Sequence, residues 1–276
     1  MTGPLKWHGG KHYLASKIIA LLPDRKRWHH YVEPFFGGGS VLFANDPEGL
    51  SEVVNDLNDK LTNFWYCLSE RIAFKHFRRR LEGIPFCESM WRAAQRWLER
   101  PCDDPGNVCV TCGTALFVVC RQSLAGRMES FAPLSKARLR RGMNEQASAW
   151  LSAVEGLPAV HDRLKRVIIV GPKPAIDVIR QQDSPHTVFY CDPPYLSTTR
   201  AAPEVYAHEM TDSDHFDLLF ELSEINGRFL LSGYRSPMYD AAAERFGWRR
   251  HDFTLPNHSA GGGSKRKMVE SVWTNY

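Results

Sequence analysis

The tetrapeptide Asp192-Pro193-Pro194-Tyr195 directly follows the apolar run Val188-Phe189-Tyr190-Cys191. A buried strand that ends this way presents a carboxylate and an aromatic face at the carboxyl edge of a sheet, where ligands bind in open α/β sheets. The two prolines have locked φ angles and no N–H, so their carbonyls can point at a ligand without joining a ladder. Such a set suits a flat ring bearing an amino group. The ring stacks on Tyr195 while its NH2 donates to Asp192 and to a backbone carbonyl. The plainer alternative is a strand-ending turn, because Asp-Pro pairs commonly open turns.

A second cluster lies near the amino terminus. Tyr31-Val32-Glu33-Pro34-Phe35-Phe36 reads as a short strand, followed by Gly37-Gly38-Gly39-Ser40 and the apolar Val41-Leu42-Phe43. Strand, glycine loop and helix in that order let the backbone approach a nucleotide-like ligand. The third glycine of the dinucleotide fingerprint is missing, and so is the Gly-Lys-Ser/Thr of a phosphate cradle. The loop therefore favours a nucleoside without phosphates over NAD or ATP. A flexible turn is the competing reading.

Basic charge is unevenly spread over a chain whose net charge is only +4. Arg121, Arg127, Lys136, Arg138, Arg140 and Arg141 cluster against the single acid Glu129, and Arg78-Arg79-Arg80 forms another block. Clustered cations of this kind fit a phosphate backbone, although for any one cluster taken alone a solvated face is the better reading. The segment Arg121-Gln122-Ser123-Leu124-Ala125-Gly126-Arg127 also carries groups able to read base edges, which favours contact with DNA.

Seven cysteines are present. Cys109-x-x-Cys112 has metal-ligand spacing, with Cys102 and Cys120 nearby, yet a structural zinc needs four placed ligands. Only one such pair occurs, and Cys120 sits in the apolar run Leu116-Phe117-Val118-Val119-Cys120. Reduced cysteines and no metal are the expectation. A disulfide framework does not fit an intracellular chain.

The elements that must position these groups follow from periodicity. Helical patterns cover residues 14–22, 60–81, 88–99, 114–122 and 145–166, with a loop over 101–113. Strand patterns fall at 31–35, 52–54, 167–170, 188–191, 229–232 and 269–273. Thr211-Asp212-Ser213-Asp214 starts a helix that ends at Asn226-Gly227. Alternation of strands and helices outside the middle predicts an α/β fold with a mostly parallel central sheet. Residues 1–59 and 166–276 are expected to form the catalytic domain, and 60–165 a helical insert. The glycine-rich basic stretch 260–267 reads as a mobile loop, with contact to DNA as the alternative. At 43% hydrophobic residues, with no apolar run of ~20 residues and no signal-like amino terminus, a cytoplasmic protein is expected.

Together these segments resemble a family. Phe35-x-Gly37-x-Gly39 followed far downstream by Asp192-Pro193-Pro194-Tyr195 is similar to the S-adenosylmethionine-dependent DNA adenine-N6 methyltransferases of the Dam-like (D12) class. Leu5-Lys6-Trp7-His8-Gly9-Gly10-Lys11, Asp56-Leu57-Asn58 after a short strand, and Ser271-Val272-Trp273-Thr274-Asn275-Tyr276 resemble further segments of that family, in the same order.

The resemblance implies a Rossmann-like methyltransferase fold whose insert, residues 60–165, recognises the target. It implies S-adenosylmethionine as cofactor, held by Trp7, Lys11, Phe35, Gly37, Gly39, Asp56 and Asp192. Composition alone would make Trp7 a core residue, Lys11 a surface residue and Asp56 a helix cap. It further implies double-stranded DNA as partner, met by Arg121, Gln122, Ser123, Arg127, Lys136, Arg138, Arg140 and Arg141. A monomer or weak dimer is expected.

In that chemistry Asp192 and the Pro193 carbonyl accept hydrogen bonds from the two hydrogens of adenine N6, exposing its lone pair for in-line methyl transfer. The adenine must leave the duplex at a cost of a few kcal/mol. Stacking on Tyr195 offsets part of this, base–aromatic stacking being worth ~1–3 kcal/mol. Pro194 completes the rigid turn. Cytosine N4, an RNA adenine and a glutamine amide are alternative acceptors for the same geometry, and a non-catalytic DNA-binding relative is another reading. Asp rather than Ser or Asn at 192, and the large insert, favour DNA adenine.

Overall fold

A computed structural model describes residues 1–7, 9–102, 106–199, 208–255 and 268–276. Among the described residues the strands are β1 (His30–Glu33), β2 (Ser51–Val54), β3 (Leu139–Arg140), β4 (Met143–Asn144), β5 (Val167–Ile169), β6 (Thr187–Cys191), β7 (Arg228–Gly233), β8 (Arg249–Leu255) and β9 (Met268–Thr274). The chain forms two compact units, one of residues 1–16, 37–46 and 58–172 and the other of 17–36, 47–57 and 173–276. None of the described helices is long and apolar enough to cross a membrane.

The second unit carries β2-β1-β6-β7-β9-β8 as neighbours in one sheet. The first four are parallel, while β9 runs antiparallel to both β7 and β8. All five residues of β6 are buried, as expected of a strand covered on both faces, where the sequence reads as a continuous apolar run. This is the mixed α/β, mostly parallel architecture of a Rossmann-like methyltransferase fold. Strand β8 has no counterpart in the sequence reading. It begins Arg-Arg-His-Asp and lies at the sheet edge, where charged residues discourage pairing with another chain.

The first unit is helical and includes β5 and the β3–β4 hairpin. Its centre is the helix Val110–Gln122, whose residues Gly113 to Cys120 are all buried. A helix apolar on every side must be surrounded by others. Gly113 is required there, because a Cβ would come within 2.6 Å of the Cys67 sulfur. Phe64, Phe77, Phe117 and Trp150 build the adjoining aromatic core.

Two expected helices are each broken in two. Between Asp59–Ser69 and Arg71–Glu82, Glu70 is extended, and its carboxylate accepts from the N–H groups of Ile72 and Ala73. Glu145–Glu155 stops at Gly156, and a new helix with proline in its first turn runs Leu157–Leu164. Caps and breakers override the continuous apolar periodicity at both places. The stretch 260–267 lies outside the described residues, as does His8.

Candidate active site and nucleic-acid interface

In the second unit the carboxyl ends of β2, β1 and β6 lie side by side. Glu33 is opposite Val54, and Val32 is opposite Phe189. Each strand therefore releases its next residues at the same sheet edge: Asn55 and Asp56 after β2, Pro34 and Phe35 after β1, and Asp192 to Tyr195 after β6. Asp56, Phe35 and Asp192 are half-buried. Phe35, Asp56 and Asp192 are thus brought to one edge by the parallel register, although they stand far apart in sequence.

The edge is rigid. Asn55 donates through Nδ2 to the carbonyls of Pro34 and Lys173 at 2.9 and 3.0 Å, and its Oδ1 accepts from the Lys173 N–H at 3.1 Å. Its carbonyl accepts from the Phe36 N–H at 2.8 Å, and its N–H donates to the Glu33 carbonyl at 2.9 Å. Sequence reasoning missed this residue. The signal available was its place immediately before Asp56 at a strand end. Glu33 is buried and accepts from the Tyr31 hydroxyl at 2.9 Å.

Tyr195 is 6% exposed and meets Tyr234 edge to face, with ring centroids 4.7 Å apart at 72°. Aromatic pairs favour this arrangement, so it sets the tilt of the Tyr195 ring. The Tyr190 hydroxyl lies 3.0 Å from the Ser232 hydroxyl. Burial, then the charge of Asp192, pushes the Tyr190 phenol well above its ordinary range. The same two causes in the same order push the Cys191 thiol up, which disfavours the thiolate. The charge that bears on both groups is that of the Asp192 carboxylate.

The first unit holds the glycine loop and the amino-terminal segment together. Gly37 and Gly39 have φ of 50° and 69°, the left-handed region where glycine is unstrained. A Cβ on Gly37 would sit 3.3 Å from the Trp7 indole, and one on Gly38 would sit 2.7 Å from the Trp7 Cβ. Trp65 donates its indole N–H to the Gly37 carbonyl at 3.2 Å. Lys11 is buried rather than exposed, contrary to what composition suggests, and donates to the Gly9 carbonyl at 2.8 Å. Burying a cation is costly without partners, so its place is specific.

The basic residues divide by burial. Arg127, Lys136, Arg138, Arg140 and Arg141 are exposed. Arg141 and Gly142 have φ of 55° and 73°, which turns β3 back into β4 through a tight hairpin and carries Arg138, Arg140 and Arg141 outward. Arg141 also pairs with Glu155 at 2.8 Å, and Arg138 lies 3.6 Å from Glu145. Arg121 is largely buried and donates to the Ala149 carbonyl at 3.4 Å.

Gln122 and Ser123 face the interior. The Gln122 amide accepts from the Cys87 N–H and donates to the Pro85 carbonyl, both at 3.0 Å. The Ser123 hydroxyl donates to the Val119 carbonyl and accepts from the Trp91 indole. Their hydrogen-bonding capacity is spent on shaping the turn after the helix, because a polar group that is buried must find internal partners. Beside this turn a groove of about 440 Å³ is lined by Glu88, Arg92, Gln95, Glu129 and Phe131 among others. In the other basic block, Arg78 pairs with Glu82 and Arg80 donates to the Thr111 hydroxyl.

Comparison with known proteins matches residues 7–90 to the family model described as D12 class N6 adenine-specific DNA methyltransferase. A type II methyltransferase, M1.LlaDCHI, of Lactococcus lactis subsp. cremoris is 41% identical over 58 residues, 21% of this chain and 19% of that protein. A DNA N-6-adenine-methyltransferase of Escherichia phage P1 is 44% identical over 64 residues, 23% of this chain and 8% of its own. A DNA adenine methylase of Vibrio cholerae serotype O1 is 39% identical over 77 residues, 28% of this chain and 26% of its own. The chain thus spans about a quarter or less of the length of these relatives. The matched segment, residues 7–90, includes Trp7, Lys11, the glycine loop and Asp56, and over that span the chain is similar to the D12 class N6 adenine-specific DNA methyltransferases.

Proposed function

We propose that the chain is a DNA adenine methyltransferase that uses S-adenosylmethionine to methylate N6 of an adenine turned out of double-stranded DNA. The observation that carries this reading is the emergence of Asp192 and Tyr195 at the carboxyl end of β6, on the same sheet edge as Phe35 and Asp56. A hydrogen-bond acceptor, a ring face and a strand-end acid are what an amino-bearing base and a ribose require.

The residues present fit the cofactor. Asp56 is a half-buried acid at the end of β2, suited to the hydroxyls of a ribose. The acids Glu33 and Asp192 make the edge favourable for a sulfonium cation. In the helical unit, Gly37 and Gly39 take left-handed φ angles and Trp7 packs closely on the glycine loop, and the family resemblance assigns Trp7, Lys11, Gly37 and Gly39 to the cofactor. When bound, S-adenosylmethionine supplies an electrophilic methyl group.

Asp192 accepts a hydrogen bond from the amino group of the flipped base, and the Pro193 carbonyl accepts the other. Both bonds favour pyramidal geometry at N6 and free its lone pair. As N6 gains positive charge, the fixed carboxylate stabilises it without reorganisation. Tyr195, tilted by Tyr234, supplies the stacking face. Arg127, Lys136, Arg138 and Arg140 would neutralise phosphates, with Arg121, Gln122 and Ser123 shaping the turn that presents Arg127.

The test is to incubate the protein with S-adenosylmethionine and unmethylated mixed-sequence duplex DNA, digest to nucleosides and identify methylated bases by mass spectrometry. N6-methyladenine that disappears with Asp192→Ala is the expected result. N4-methylcytosine would replace the target base, and duplex DNA left unmethylated would overturn the assignment.

A further inference from the structure

We propose that Cys102, Cys109 and Cys112 form a binding site for a thiophilic divalent cation, Zn2+ in the first instance, in the helical unit. The sequence shows one Cys-x-x-Cys pair, which by itself is too few ligands. The fold adds Cys102 to it.

Cys109 is the N-cap of the helix Val110–Gln122, Cys112 lies in its first turn, and Cys102 comes from the preceding loop. All three sulfurs lie within 4.8 Å of one another, with Cys102 and Cys112 3.5 Å apart. Zinc–sulfur bonds of 2.3 Å at tetrahedral angles separate two sulfurs by about 3.8 Å, so the cluster already has the span that the ion requires. The three thiols are free.

The support around the sulfurs is of the kind that orients metal ligands. Asn63 grips Cys109 from both sides of its peptide, its Oδ1 accepting from the Cys109 N–H at 2.8 Å and its Nδ2 donating to the Cys109 carbonyl at 2.9 Å. The Cys112 N–H points at the Cys109 sulfur at 3.4 Å. Three sulfurs this close cannot all carry charge unaided, and a cation between them removes that repulsion while releasing protons. The fourth position of a tetrahedral ion is left to water or to a donor from outside the cluster.

A bound ion would tie the loop after the helix Glu88–Leu98 to the start of the helix Val110–Gln122. The far end of that second helix leads into the turn that carries Arg127. The site would thus brace the region proposed to meet DNA, yet it stands whether or not the chain methylates anything.

The test uses the full chain, purified without chelators and with reduced thiols. Metal content is measured by mass spectrometry, and Co2+ is titrated while thiolate-to-cobalt charge-transfer absorption is followed. One ion per chain is expected. C102S and C112S should each weaken binding by more than the roughly 10–100-fold that losing a supporting contact costs, while C87S leaves it unchanged. Cys102 is exposed, so C102S should keep its helical circular dichroism and report on the ligand alone. Absence of the band, its persistence in both C102S and C112S, or recovery of a Cys109–Cys112 disulfide that takes up no metal after reduction would each overturn the proposal.

Discussion

Trp7 covers Gly38 so closely that a Cβ there would lie 2.7 Å from the tryptophan Cβ, and one residue earlier the Lys6 carbonyl fills the space a side chain on Gly126 would need, at 1.8 Å. One short amino-terminal segment therefore clamps both the glycine loop and the turn that follows the buried helix. Gly126 also has φ of 73°. Gly126→Ala is expected to lower stability by at least about 1–3 kcal/mol, the usual cost of overpacking, as read from denaturant midpoints. Gly38→Ala should weaken S-adenosylmethionine binding measured by calorimetry. Unchanged values for both variants would show that the clamp is not tight.

At the sheet edge, Asp192→Ala and Asp192→Asn should lower the methylation rate by about 100- to 1,000-fold or more, the range seen when one preorganised polar contact to developing charge is removed. Cofactor affinity should change far less, because the loss falls on the acceptor base. A wild-type rate in either variant would remove Asp192 from the reaction.

Tyr195 separates stacking from hydroxyl chemistry. Tyr195→Ala should raise the KM for DNA by an amount equivalent to ~1–3 kcal/mol of stacking, whereas Tyr195→Phe, which keeps the ring against Tyr234, should stay near wild type. Equal losses in both variants would place the role in the hydroxyl.

The exposed cations are read out by salt. Each of Arg127→Ala, Lys136→Ala, Arg138→Ala and Arg140→Ala should flatten the slope of log K against log salt by about 0.9 if it removes one phosphate contact. Arg141, already paired with Glu155, should have a smaller effect. Gln122→Ala should leave the slope alone and lower stability, since it strands the Cys87 N–H and the Pro85 carbonyl at roughly 1–3 kcal/mol each.

The break at Glu70 has a pH signature. The N–H groups of Ile72 and Ala73 hold its carboxyl below the ordinary value of 4.5. A depressed carboxyl stabilises the fold above its unfolded pKa, and that contribution is lost as pH falls through the lower folded value. Glu70→Ala should cost about 0.5–2 kcal/mol at neutral pH, as caps do. Its deficit relative to wild type should shrink below pH 4.5; a deficit constant with pH would show that the charge adds nothing.

The amino-acid sequence by itself determined the parallel strands and the residues that end them. Runs such as Val188–Cys191 are apolar throughout because both faces are covered, and Asp56 and Asp192 follow strands whose periodicity is legible locally, whereas Phe35 was read as part of its strand and follows it only in the structure. The breaks at Glu70 and Gly156 and the charged edge strand β8 were not legible, since local apolar periodicity carries no record of which cap or which sheet edge will prevail. Only the tertiary structure decided which polar residues are free to act. It turned Gln122 and Ser123 inward, buried Lys11, made Asn55 the tie between two strand ends, and brought Cys102 to the Cys109–Cys112 pair. A residue's type and spacing fix what chemistry it could perform; whether its polar atoms face a partner or the interior depends on packing between segments far apart in the chain.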